Sequence, residues 1–349
     1  MTAVSNTVFD TLWYTRCPVP TASGLAHSLG WLGETASEAG VGLGVLQDAG
    51  PELAPRHFDH KLLGLIREGG NVPALAARAD GSPTRLIGLT WIDEAQAILV
   101  APDSPVSEPG ALAGLRIAVP AWAEDRARSF PRAMALHGFA SALALGRLTL
   151  ADVRPVEVAV ERNPQVRGEA ATGRRVATWG VDALLAGDVD AIYVKGARAQ
   201  EVAREHGLRV AVDLDATGSK RSRVNNGTPR PITVHADLLE SRPDLVVGFL
   251  TQTLRAADWA AGNLEEVRGV LARETFSGAE GVEAAYGNTF HRGLHPTLSD
   301  ERIELLDVQK QFLYTHGFLA TDFDLASWVA REPLQQASAQ LAAERKVPS

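Results

Sequence analysis

Short apolar runs alternate with amphipathic segments along nearly the whole chain, and this alternation restricts the fold more than any other feature. Thr11–Arg16, Val41–Gln47, Thr84–Trp91, Gln96–Ala101 and Leu115–Val119 read as strands, while Leu25–Ala39 and Ser129 to about Arg147 carry helical periodicity. Further on, Val153–Val160 reads as extended and Val176–Ala186 as a helix closed by Gly187. Asp188–Val194 is a buried strand, and Ala197–Glu205 with Leu208–Val212 forms a helix–strand pair. Gly218–Pro231 is a polar loop and Ile232–His235 is extended. Leu245–Ala260 is a long helix with Pro243 near its first turn, and the remainder is mostly helical. A chain that switches period in this way is an α/β protein.

With 349 residues, 45% of them apolar and 22% charged, the chain can build two lobes with substantial cores. A formal net charge of -8 argues against nucleic-acid binding, and Lys220-Arg221-Ser222-Arg223 reads as a solvated loop. The single cysteine can form no internal disulfide and excludes paired-cysteine metal or redox motifs. The N-terminal stretch has neither a basic nor an apolar signal region, and no apolar run is long enough to span a bilayer, so a cytoplasmic location is expected. Phosphate-loop, HExxH and Gly-x-Ser-x-Gly motifs do not occur, and Gly40-Val41-Gly42-Leu43-Gly44 lies within a strand pattern. No cofactor, metal or membrane partner is expected.

Three segments could carry chemistry. Cys17 follows the first strand within Thr15-Arg16-Cys17-Pro18-Val19-Pro20, at the end that faces the ligand crevice in an α/β sheet. It is either a reactive thiol or a small buried hydrophobe. In Arg67-Glu68-Gly69-Gly70-Asn71-Val72-Pro73, Asn71 is a good N-cap for a helix from Val72 to about Arg78. The glycines let backbone N–H groups approach a ligand, and Arg67 suits a two-oxygen anion. The same residues could be a plain glycine turn with a surface arginine, and Glu68 weakens the attraction for an anion. His57, in Pro55-Arg56-His57-Phe58-Asp59-His60, could serve as acid, base or partner to the thiol. A metal held by Cys17, His57 and His60 lacks a fourth ligand.

The order of elements resembles the two-lobed periplasmic-binding-protein (type II) fold, with phrases such as Gly114-Leu115-Arg116-Ile117-Ala118-Val119-Pro120 and Gly187-Asp188-Val189-Asp190-Ala191 at its strand entries. That likeness implies crossings near Ala101–Ser107 and Val224–Ile232, one lobe from residues 1–103 and 230–349, the other from 104–229, and a ligand cleft between them. Thr11 to Pro20, followed by His57-Phe58 and Arg67-Glu68-Gly69-Gly70, is more specific and resembles the aryl sulfinate desulfinases. Arg85–Thr90, Pro102–Pro105 and Gln311–Leu313 extend the match.

The resemblance implies hydrolysis of an aromatic or alkenyl-phenol sulfinate, such as 2'-hydroxybiphenyl-2-sulfinate, to the desulfurised phenol and sulfite. The family works in dibenzothiophene desulfurisation, needs no cofactor and is expected to be monomeric. Its catalytic residues fall on Cys17 and His57, and its substrate-binding residues on Arg67, Gly69, Gly70 and Phe130. Glu68 stands where the family has an aromatic residue, Phe130 replaces a tryptophan, and Val160–Arg175 is shorter than the family's cleft loop. The alternative is a non-catalytic solute-binding protein for a sulfonate or aromatic anion. It would need the Arg67–Gly70 site but neither Cys17 nor His57.

Overall fold

The apolar runs pair into two five-stranded sheets in the computed structural model, which describes residues 9–17, 19–160, 179–275 and 277–345. In chain order the strands are β1 (Thr11–Arg16), β2 (Gly42–Val45), β3 (Leu65–Glu68), β4 (Thr84–Thr90), β5 (Gln96–Val100), β6 (Arg116–Pro120), β7 (Arg154–Val158), β8 (Ala191–Lys195), β9 (Arg209–Asp213) and β10 (Arg230–His235). The first sheet has the order β2-β1-β3-β10-β4 and the second β7-β6-β8-β5-β9. β1 runs parallel to β2 and β3, with Thr15 opposite Arg67, whereas β10 runs antiparallel to both β3 and β4.

The helices are α1 (Ala22–Ser28), α2 (Trp31–Glu38), α3 (Arg56–Asp59), α4 (Asn71–Ala79), α5 (Phe130–Leu145), α6 (Val181–Leu185) and α7 (Ala197–Glu205). After β10 come α8 (Ala236–Ser241), α9 (Pro243–Ala260), α10 (Leu264–Thr275), α11 (Ala279–Tyr286), α12 (Asp300–Thr315), α13 (Leu325–Trp328) and α14 (Glu332–Glu344). The first core gathers Leu12, Ile66, Leu86, Ile232, Val246 and Trp328 around the first sheet. The second sheet is covered on both faces: Ile98, Val119, Phe139 and Tyr193 pack on one side, Leu99, Ile192 and Val202 on the other. Strands buried on both faces are what unbroken apolar runs produce. Among the described residues, no helix is long and apolar enough to cross a membrane.

The structure corrects two boundaries. The lobe limit expected at residue 103 lies too late, because β5 pairs with β8 and β9 in the second sheet. The chain therefore leaves the first sheet between Thr90 and Gln96 and returns through residues 214–229 into β10. β4 and β5 are both apolar and nearly adjacent in sequence, so strand pattern alone does not tell which sheet each joins. The single helix expected over Leu25–Ala39 is two helices, broken at Gly30, whose φ of 85° is left-handed and ends a helix. The expected helix Val176–Ala186 is described from Val181 onward, and the Val160–Arg175 stretch falls almost entirely outside the described residues.

Candidate functional site

Strand parity assembles the site. Thr15 and Arg67 are register partners on β1 and β3, so their side chains share one face of the sheet. Cys17 lies two residues beyond Thr15, and its N–H donates to Glu68 O at 3.1 Å, which carries the pairing past the end of both strands. The chain then turns tightly, with Val19 N–H donating to Cys17 O at 2.9 Å. The free, half-buried thiol is left at the strand end, where its Sγ accepts the Gly70 N–H at 3.2 Å.

Arg67 is fully buried, and backbone oxygens aim it. Its Nε donates to His57 O at 2.8 Å, Nη1 donates to Gly70 O at 3.1 Å, and Nη2 lies 3.4 Å from His57 Nε2. Burial and the Arg230 charge press its pKa down to about 10, against the opposing pull of Cys17. A guanidinium at that value remains a cation at neutral pH. Gly69 has no room for a side chain, since a Cβ there would stand 2.6 Å from the Arg67 guanidinium carbon.

His57 comes from α3, and its Nδ1 lies 2.9 Å from Thr15 Oγ1, which also accepts Gln47 Nε2 at 3.2 Å. Arginine can only donate, so the contact with Arg67 assigns the lone pair to Nε2 and the proton to Nδ1. Burial first, then the Arg67 charge, hold the ring well below its ordinary pKa, so it is neutral. Among the described residues, no hydrogen bond joins His57 to Cys17; the ring reaches the thiol's surroundings through Arg67. His60 points its Nδ1 at Phe58 O, 3.1 Å away. Among the described residues, no cluster of three His, Cys, Asp or Glu side chains could hold a metal ion.

Two expectations for the Arg67–Pro73 segment change. Asn71 does not cap α4: it is the first helical residue, and Gly70 occupies the cap position. Its side chain instead donates to Asn225 O at 2.8 Å and Pro229 O at 2.9 Å, acceptors from a distant loop. Glu68 does not oppose an anion at the site, because alternation turns it to the other face of the sheet. There it accepts from Ser23 Oγ, and from Thr90 Oγ1 at 2.7 Å. Burial raises its pKa, partly offset by those two hydroxyls.

Phe130 starts α5 and stacks on Phe58, with ring centroids 6.4 Å apart and planes 16° from parallel. Trp179 meets Phe130 edge-on at 6.1 Å, and Phe58 meets the His57 ring edge-on at 5.1 Å. These rings form a row from His57, beside Arg67, to the second lobe. The sequence points to Phe130 and to the His57-Phe58 pair, but not to Trp179, Asn226 or Arg230. Arg230 is 3% exposed, and among the described residues its Nε and Nη1 have no hydrogen-bond partner. These three residues join the site only because distant segments meet.

The architecture and site define a class: a type II periplasmic-binding-protein fold with a half-buried thiol and a buried arginine at the C-terminal ends of parallel strands. Within that class the chain is similar to 2'-hydroxybiphenyl-2-sulfinate desulfinases. The enzyme of Rhodococcus erythropolis and that of Rhodococcus qingshengii are each 29% identical to it, across 94% of this chain and 94% of theirs. A DszB cysteine-to-serine mutant in complex with biphenyl-2-sulfinic acid superposes with a TM-score of 0.73 at 26% identity, covering 95% of this chain and all of that one. The periplasmic aliphatic sulphonate-binding protein SsuA of Escherichia coli shares the fold, with a TM-score of 0.66 at 17% identity over 93% of each chain. No family model matches the chain.

Proposed function

We propose that this chain is a desulfinase that hydrolyses the carbon–sulfur bond of an aryl sulfinate, with Cys17 as its reacting side chain. The observation that carries the reading is the meeting of the lone thiol, the Gly70 N–H at 3.2 Å and a fully buried guanidinium at one strand end. A small anion needs the guanidinium and the N–H; a transport protein has no use for the thiol. The row Phe58–Phe130–Trp179 suits the aryl group. The named substrate of the relatives makes 2'-hydroxybiphenyl-2-sulfinate the first probe.

Arg67 holds the sulfinate oxygens as a fixed cation, and closure of the two lobes over the ring excludes bulk water. His57, neutral and with Nδ1–H committed to Thr15, is placed to steady Arg67 rather than to remove the thiol proton. Cys17 therefore acts as the proton donor. Its S–H proton passes to the carbon that bears sulfur, the carbon–sulfur bond breaks, and sulfur dioxide leaves as the thiolate forms. The Gly70 N–H and the Arg67 charge stabilise that developing thiolate. Water adds to sulfur dioxide to give bisulfite and a proton, and the proton returns to Cys17. The sum is sulfinate plus water to arene plus bisulfite, balanced without a redox partner. We place the enzyme in the cytoplasm, a reducing compartment in which a free thiol persists.

The test is sulfite release from 2'-hydroxybiphenyl-2-sulfinate by the full chain and by Cys17→Ser. The native chain releases sulfite and the corresponding phenol, and the variant binds the sulfinate without releasing either. Binding without turnover by the native chain would make it a solute-binding protein. Turnover by the variant would remove Cys17 from the reaction. Rapid acid quench separates the two thiol chemistries: proton donation leaves Cys17 at its native mass, whereas nucleophilic attack on sulfur adds the mass of sulfur dioxide.

A further inference from the structure

We propose that Asn226 is a positioning residue for the thiol, holding the Gly70 N–H on Cys17, and that Lys195 of the second sheet holds Asn226 in turn. This rests on Cys17 being the reactive group. Asn226 sits in the returning crossover, far from Gly70 in sequence, yet its Oδ1 accepts the Val72 N–H at 3.0 Å. That N–H belongs to the first turn of α4, where a helix leaves its own donors unpaired. A Cβ on Gly70 would run into Asn226 Oδ1 and stand 2.6 Å from Nδ2 and 2.7 Å from Cγ, so the amide is packed directly against the Gly70 Cα. Gly70 is thus held from two sides: Arg67 Nη1 donates to its carbonyl oxygen at 3.1 Å, fixing the peptide that follows it, and the Asn226 amide packs on its Cα, between that peptide and the one that carries the N–H.

Asn226 is fastened to the second lobe. Lys195 Nζ, at the end of β8, donates to Asn226 O at 2.9 Å and pairs with Glu94 at 3.0 Å. The Lys195 side chain is 4% exposed, so this contact is not a solvent-screened surface pair. Tyr286 OH, from the first lobe, closes the chain on Glu94 at 3.2 Å. Met134 of α5 adds two contacts: its O accepts Asn225 Nδ2 at 3.1 Å, and its Sδ lies 3.5 Å from Asn226 Nδ2. The crossover therefore links two elements of the second lobe to Gly70, whose N–H meets the thiol. A donor held on sulfur favours the thiolate over the thiol. Arg67 on β3, whose charge acts on the thiol, and His57 on α3, which contacts Arg67, are left intact by substitution at Asn226 or Lys195.

Because Cys17 is the chain's single cysteine, alkylation by iodoacetamide reports on it alone. Alkylation rates of the full-length protein are measured from about pH 5.5 to about pH 9.5, since a lost N–H···S contact alters the ionised fraction. In Asn226→Ala the rate falls about threefold or more on the acid side and converges on the native rate where the thiol is fully ionised. The paired substitution Lys195→Met with Glu94→Gln, which strands no buried charge, produces the same change at smaller amplitude. An Asn226→Ala profile that superposes on the native one, or that is slowed equally at every pH, overturns the proposal. Should Asn226→Ala not fold, the paired variant decides by the same two criteria. The native chain's sulfite release is read separately, so failure of the desulfinase reading and failure of this one are distinguishable.

Discussion

Gly70→Ala isolates the close packing at the thiol's donor. Gly70 has φ -52° and ψ 145°, a conformation that alanine adopts freely, so the substitution carries no backbone penalty. Its entire cost is steric. The new methyl would lie 2.6 Å from Asn226 Nδ2 and 2.7 Å from Asn226 Cγ, well inside contact distance. Relief requires either that the Asn226 amide swing away and release Val72 N–H, or that the Gly70 peptide rotate and withdraw its N–H from Cys17. Overpacking of this kind costs about 1–3 kcal/mol. At roughly 2–4 °C per kcal/mol, the Tm falls by several degrees. Sulfite release falls with it. The assay is a double-mutant cycle with Asn226→Gly, which opens the space the methyl needs. In the Asn226→Gly background, Gly70→Ala costs at least about 1 kcal/mol less than in the native chain, a coupling expected only of residues in contact. Equal costs in the two backgrounds, or a native Tm for Gly70→Ala alone, would refute the packing argument.

Arg67→Ala weakens sulfinate binding by at least about 1.5 kcal/mol in titration calorimetry, the scale of a lost charge-assisted hydrogen bond; unchanged affinity would remove Arg67 from the anion site. Phe130→Ala raises KM for a biphenyl sulfinate roughly three- to tenfold relative to a small alkyl sulfinate, as loss of one ring from an aromatic row predicts. An unaltered ratio would take the row out of substrate recognition. Stability falls in acid because burial pushes His137 down to about 4, against the hydrogen bond that its ring donates to Gln309 Oε1. The unfolded chain takes up this proton at about pH 6.5 and the folded chain does not, so the stabilisation is complete above pH 6.5 and is lost as pH falls toward 4. His137→Gln has a shallower decline of Tm across that window; an identical decline would contradict the assignment.

Much of the site is legible in the sequence because strand parity is local. Cys17 two residues past Thr15, and Arg67 just before a glycine pair, suffice to put a thiol and a cation at adjacent strand ends. What is not legible depends on remote partners. The capping rule names Asn71, yet its amide is taken by Asn225 O and Pro229 O, and Gly70 fills the cap position. Glu68 looks like a charge beside Arg67 until the pleat places it on the opposite face. Helical periodicity runs through Gly30, where the chain breaks because only the backbone conformation marks the stop. Asn226 carries no signal at all, since its importance is created by the crossover that lays it on Gly70.

The adjacency of Arg67 and Glu68 has an evolutionary consequence. Both are wholly buried, one on each side of the same strand. A single-residue insertion or deletion within β3 would therefore do more than loosen the site. It would exchange the two faces, presenting a carboxylate beside the Cys17 strand end and burying a guanidinium against Ser23 and Thr90. The sign of the site's charge is encoded in the parity of a four-residue strand, so the length of β3 is constrained as tightly as the identity of Arg67.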